Sequence, residues 1–189
     1  YAAKLNNQVE DIDLNLEDFS ARVNSDLVGK YINIASRTAG FISKHFDGAL
    51  AAPAPHAVLN EVISAAANIA AFYENREYSK AIREIMQLTD LANQYVDANK
   101  PWELAKDPAQ KARLHEVCSV SLNLFRLLTL YLKPVLPVLA AQVEDFLNIP
   151  ALQWPSSGLS GLPHGHTINP YKHLMTRVDP KHIEAMLNE

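Results

Sequence analysis

In the run LVGKYINIASRTAGFISKHF, Asn33, Arg37, Gly40 and Lys44 stand at intervals of three and four residues. At about 100° per residue they share one helical stripe roughly 60° wide. Val23, Leu27, Ile34 and Phe41, with Phe19 ahead of them, form the apolar set of the same helix. The centre of that set lies about 80° to one side of the stripe. The stripe therefore runs along the shoulder of the buried face, where side chains are held by neighbours yet reach solvent. Arginine presents a planar fork of donors, asparagine both donates and accepts, and glycine leaves the backbone bare. Such a line suits a planar polar ligand. The same spacing also fits ordinary surface polars with Gly40 serving helix packing, and on spacing alone that reading weighs more.

A second group lies further on. Asp90, Asn93 and Asp97 occur in TDLANQYVD, with the two carboxylates seven residues apart. They fall about 20° apart on a helix. That helix leads straight into Pro101 and Trp102. On its own, Trp102 reads as a bulky plug near a helix start.

The elements that must carry these residues are helical throughout. Asn15 is placed to cap the first long helix, with Glu17 and Asp18 in its first turn. FDGALAAPAP breaks the pattern. A second helix is expected from His56 to Tyr73, with Val58, Val62, Ile63 and Ile69 inward. A third is expected from Ser79 to Val96, carrying Ile82, Ile85, Met86, Leu91 and Tyr95. Pro101 suits the opening of the next, because a first turn does not need its missing N–H. RLHEVCSVSLNLFRLLTLYL is apolar almost all round and reads as the central helix of a bundle. Pro134 and Pro137 must end or kink it before a last helix reaching Asn148. Beyond Leu147, IPALQWPSSGLSGLPHGHTINP reads as an extended surface arm, and DPKHIEAMLN as a short closing helix. The fold class is all-α: a bundle of about five helices with an extended C-terminal arm. Residues 1–15 form a join, 16–148 the bundle, and 149–189 the arm with its short helix.

Composition narrows the chemistry. Lys+Arg 17 against Asp+Glu 21 gives a net charge of −4, which excludes nucleic-acid binding through a broad basic surface but leaves room for a small local site. One cysteine, Cys118, excludes an internal disulfide and suits a reducing compartment. It lies in the apolar run VCSVSLNLF and reads as a small core residue rather than a nucleophile. No run has the length of a membrane span, and no signal-peptide pattern opens the chain. The abrupt start YAAKL reads as the last turn of a helix, and the expectation is a fragment lacking its N-terminal part.

Three long segments carry a resemblance: DLVGKYINIASRTAGFISKHFDG, AIREIMQLTDLANQYVDANKPWELAKD and LHEVCSVSLNLFRLLTLYLKPVLPVLA. In this order and at these spacings they resemble the anticodon-binding helical domain of bacterial methionyl-tRNA synthetases. The likeness runs essentially to the end, through INPYKHLMTRVDPKHIEAML. YAAKL to DIDLNLEDF resembles the join leading out of that enzyme's catalytic domain. The HIGH and KMSKS signatures of class I synthetases and the zinc-knuckle region are absent.

The resemblance implies a function and a set of residues. Matched onto this sequence, the family's anticodon readers are Asn33, Arg37, Pro101 and Trp102, with Lys44 on the same stripe meeting the second anticodon base or a phosphate. The first anticodon base would be a cytosine, splayed out, stacked on Trp102 and read along its pairing edge by Arg37 and Asn33. The positions of Asp90 and Asp97 are also acidic in the family. Two roles follow for them and for nearby Asn93. Asp90 and Asp97 form salt bridges to Arg37 or Lys44, or the charges penalise anticodon loops that do not settle correctly. The implied partners are methionine tRNA, through its anticodon loop, and the catalytic domain of the same chain in the cytoplasm; neither DNA nor a membrane is expected. The parent would be an ATP-dependent methionine–tRNA ligase. ATP and Mg²⁺, with zinc as an optional third, would belong to its catalytic part. This fragment would bind no cofactor and would be inactive alone.

Two rival readings come from other classes. A helical protein–protein module with no RNA role draws support from the acidic charge, but leaves the ordered Asn, Arg and Trp set unused. A metal hydrolase would use His164, His166, His173 and His182, whose spacings lack the paired Cys or carboxylate partners of zinc sites. SSGLSG lacks the strand-to-helix setting of a nucleophile elbow, and no phosphate-binding glycine loop occurs.

Overall fold

The computed structural model describes residues 1–13, 15–52, 55–154, 159–179, 181 and 183. The first long helix is continuous but not uniform. It comprises α1 (Leu16–Arg22), a π-helical stretch (Val23–Ile32) and α2 (Asn33–Phe46). Asn15 caps it, its Oδ1 accepting from the Asp18 N–H at 2.8 Å. α3 (Ala57–Ser64) and α4 (Ala66–Glu74) form the expected second helix with a break at Ala65. α5 (Tyr78–Asn99) is followed by the short α6 (Pro101–Leu104), with Pro101 in its first turn as expected. α7 (Lys111–Leu132) is the central helix, and α8 (Pro137–Leu147) opens on Pro137. Tyr1 is followed by a 3₁₀ turn, Ala2–Lys4. Among the described residues there is no β-strand, only a single bridge between Ala49 and Thr167. None of the described helices is long and apolar enough to cross a membrane.

α7 earns its central place by composition. From Val117 to Leu132 every residue except Arg126 is buried. α2, α3, α5, α6 and α8 all pack on it. Tyr31 stacks on Phe125 at 4.7 Å between ring centroids, and its hydroxyl hydrogen bonds with Thr129 Oγ1 at 2.5 Å. That pins the first helix to the core while satisfying a buried phenol.

Of the residues expected inward, Val23 and Ile34 are buried, Phe41 is half-buried against the core, and Phe19 and Leu27 are half-buried. Leu27 lies inside the π stretch, whose wider turns advance each residue by less than the α-helical 100°. The residues fully buried from this helix are Tyr31, Ile32, Ile34, Ala35, Thr38, Ala39 and Ile42.

The C-terminal arm is an extended segment with many exposed residues, as expected, but its apolar residues seat it on the bundle. Ile168 is buried, Tyr171 meets Phe146 edge-on at 5.2 Å, and Leu174 and Met175 lie on the core. The few polar side chains of α7 anchor the connecting segments. Asn123 Oδ1 accepts from the Leu162 N–H at 2.7 Å, and Arg126 donates to the Ser160 carbonyl. Ser119 Oγ accepts from the Ala51 N–H at 2.8 Å. Just past α7, Lys133 donates to Glu144 at 2.6 Å and to the Leu152 carbonyl at 2.8 Å. Gly48, at φ 79°, lets the arm approach. A Cβ there would lie 3.2 Å from the Ile168 carbonyl oxygen, and the Gly48 carbonyl accepts from the Ile168 N–H at 2.9 Å. The expected closing helix, with Leu187 and His182, lies for the most part outside the described residues.

Candidate nucleic-acid interface

α2 and α5 pack against each other, and their shared edge holds most of the residues singled out above. Asn93 on α5 is the hub. Its Nδ2 donates to the Lys30 and Thr89 carbonyls, each at 3.0 Å. Its Oδ1 accepts from Asn33 Nδ2 at 3.4 Å, a long bond that leaves the Asn33 amide free to turn. One turn further on, Arg37 Nη2 lies 2.5 Å from Asp97 Oδ1. The same guanidinium sits over the Trp102 ring, 4.7 Å from its centroid. Arg37 is thus held by a carboxylate and an aromatic face at once, which fixes a normally mobile side chain.

The chain places Trp102 there by a sharp turn. Lys100 ends α5 and precedes α6, with φ 45° and ψ 62° in the left-handed region. That conformation is costly for a side chain with a Cβ and needs support from its surroundings. Asn99, just before it, supplies part of that support. Its Nδ2 donates to the Tyr95 carbonyl at 2.8 Å, and its Oδ1 accepts from Arg113 at 2.5 Å. Arg113 in turn pairs with Glu116 at 2.8 Å. Pro101 is buried and Trp102 half-buried, so the ring is neither a core plug nor fully free.

Asn33, Arg37, Asn93, Asp97 and Trp102 therefore meet, although the pairs joining α2 to α5 are 60 residues apart in the chain. Asp97 pairs with Arg37, one of the partners expected for it. Asp90 pairs instead with Lys30, at 3.0 Å, a residue not anticipated. Lys30 precedes Asn33 by three positions, about one turn earlier, so helical spacing contained the signal. Lys44 stands apart, exposed and about 10 Å beyond Arg37 along the helix axis. Gly40 is exposed, and a Cβ built on it would meet nothing within 4 Å. The helix-packing reading of Gly40 is corrected by that open space.

The edge presents donors from a guanidinium, a donor and an acceptor from an amide, and an indole face. Together these match what an unpaired nucleobase offers: a π face and a mixed donor–acceptor rim. The two acidic partners keep the local charge low. Both ion pairs are substantially solvent-exposed, so their worth to stability is about 0–1 kcal/mol each.

Elsewhere the chain offers less. Among the described residues no three of His, Cys, Asp and Glu converge as metal ligands. His166 is committed to the Leu147 carbonyl at 2.6 Å, while His164 and His173 are exposed. Cys118 is buried, and burial pushes its thiol up to about 12, which keeps it protonated and unreactive.

The methionine–tRNA ligase of Thiobacillus denitrificans is 66% identical over 189 residues, covering all of this chain and 27% of the relative. That of Janthinobacterium sp. is 60% identical, covering 99% of this chain and again 27% of the relative. The chain thus spans about a quarter of the length of these relatives. The apo Mycobacterium tuberculosis methionyl-tRNA synthetase superimposes with a TM-score of 0.75 at 23% identity, covering 88% of this chain and 35% of that one. This likeness establishes the fold. The family model described as the anticodon binding domain of methionyl tRNA ligase matches residues 47–188, most of the sequence, and the chain belongs to that family.

Proposed function

We propose that the chain recognises the anticodon loop of methionine tRNA through the edge shared by α2, α5 and α6. The observation that carries this reading is the convergence of Asn33, Arg37 and Trp102 from two distant parts of the sequence onto one edge. A cytosine at the first anticodon position stacks on the indole. Arg37 donates to its ring nitrogen and carbonyl, and Asn33 accepts from its amino group. A uracil in that place presents a ring N–H where cytosine has a lone pair, so the Arg37 guanidinium, which can only donate, faces an unmatched donor and specificity follows.

The longer protein is a methionine–tRNA ligase acting in the cytoplasm. Its catalytic domain, using ATP and Mg²⁺, and zinc where a zinc knuckle is present, lies in the remainder of the relatives' length. Residues 1–15 lead from that domain into the bundle at 16–148. The arm at 149–189 returns toward it. Three quarters of each relative's length lies outside this match, which supports placing the chemistry there.

The test is binding of a methionine-anticodon stem-loop, compared with one carrying uracil at the first anticodon position, by titration calorimetry or fluorescence. Wild-type chain is expected to prefer cytosine. Arg37→Ala and Asn33→Ala are expected to lose that preference. Equal binding of both loops by the wild type would overturn the reading.

A further inference from the structure

We infer that the sugar–phosphate of the nucleotide read at Trp102 crosses the helix at Gly40, which is kept bare for it. The inference rests on the anticodon reading above and adds a positioning residue to that site. Gly40 lies inside α2, and its φ is not positive, unlike that of Gly48 and Gly165. Backbone conformation therefore does not require a glycine. Nor does packing, since a Cβ at this position would meet no atom within 4 Å. An exposed glycine in a helix interior is less stable than alanine because it loses more backbone freedom on folding. The protein bears that cost with no return from its own atoms.

The position of Gly40 supplies the reason. It is three residues after Arg37 and four before Lys44, so it lies between them on one face, about 5–6 Å from each between Cβ positions. Arg37 is anchored over Trp102 at one end, and Lys44 is an exposed ammonium at the other. A nucleotide has the same order of parts: a base, then a ribose, then a phosphate. With the base at Trp102 and Arg37, the ribose lies over Gly40 and the phosphate reaches Lys44. Any side chain at position 40 lifts the ribose and draws the base off the indole.

The experiment measures stability and RNA binding on the same variants. Gly40→Ala is expected to raise Tm by a few degrees, as helix propensity requires. It is expected to weaken binding of the cytosine-bearing stem-loop by about tenfold, the size of an overpacking penalty. Gly40→Leu should weaken binding more, with circular dichroism reporting an intact fold for both. If Gly40→Ala melts higher yet binds as tightly as wild type, the inference falls while the anticodon reading stands. If Gly40→Ala melts lower than wild type, the glycine has a role within the fold and the inference also falls. If the wild type itself does not prefer cytosine, the anticodon reading fails first, and that arm is measured independently of Gly40.

Discussion

Arg37 is the residue on which the site turns, because three demands meet there. In the free chain its guanidinium is shared between Asp97 at 2.5 Å and the Trp102 face at 4.7 Å. A ligand base must take over one or both of those contacts. Trp102→Ala removes the stacking face and is expected to weaken stem-loop binding by about 1–3 kcal/mol. Because α6 is only four residues long and the ring half-buried, helical content should be unchanged by circular dichroism. Loss of binding only in proportion to unfolding would show instead that the ring is chiefly a core element. Asp97 has a different part. On the anticodon reading proposed above, the carboxylate would be left beside an approaching phosphate when Arg37 turns to the base and would repel it. A cognate base would regain that loss through its edge contacts, and a non-cognate base would not. Asp97→Asn is therefore expected to strengthen binding of uracil-bearing loops more than cytosine-bearing ones, most at low salt where screening is weak. Stability should move by no more than about 1 kcal/mol, because Asp97 is well exposed. Weaker cognate binding with no gain for uracil would assign Asp97 to holding Arg37 in place and nothing more.

Among the elements, the π-helical stretch from Val23 to Ile32 has the widest reach. Such geometry is rare and tends to occur where a helix serves a purpose beyond span. Here one end leads into Asn33, and the other carries Asn24, which holds the returning arm. Asn24 Oδ1 accepts from the Val178 N–H at 2.7 Å, and its Nδ2 donates to the Val178 carbonyl at 3.2 Å. This pairing imitates a strand contact using a side-chain amide. Asn24→Ala strands both backbone groups in a partly buried place and should lower stability by about 1–2 kcal/mol in chemical denaturation. Hydrogen exchange should quicken at Val178 and its neighbours while α7 stays protected. Unchanged exchange at Val178 would mean that the apolar contacts of Leu174 and Met175 suffice to seat the arm.

Across the described residues, burial raises several phenols and one thiol. Burial pushes Tyr95, Tyr131 and Cys118 each up to about 12, and raises Tyr31 and Tyr73 as well. In the unfolded chain these groups lose their protons near 9 for the thiol and near 10 for the phenols. Between those values and about 12 the folded chain keeps protons that the unfolded chain has released. The unfolded state then binds fewer protons, so stability falls as pH rises. Tm should be level with respect to these groups between pH 7 and 8.5 and decline above about pH 9. Thiol reagents at pH 8 should label Cys118 only after denaturation. Prompt labelling of the folded chain would contradict its burial.

Much of this molecule is legible in order along the chain because the relevant physics is local. A cap at Asn15, a proline opening α6 at Pro101, the all-round apolar run of α7 and the shared stripe of Asn33 and Arg37 depend on residues a turn or two apart. The role proposed for Asn33, Arg37 and Trp102 rests on the resemblance, since spacing alone favours ordinary solvent-facing polar residues at 33 and 37 and a core plug at Trp102. What no local pattern contains is which helix edge meets which. The pairing of Arg37 with Asp97 spans 60 residues, and that of Asn24 with Val178 spans 154. Part of the inward set of the first helix, Val23 and Ile34, follows the spacing, while the π turns that carry Leu27 change the angle per residue midway. The space around Gly40 is likewise a property of the assembled bundle. Hydrogen-bonding capacity belongs to a residue type, but partners, burial and open space are fixed by close packing of distant segments. Only the tertiary structure therefore decides them.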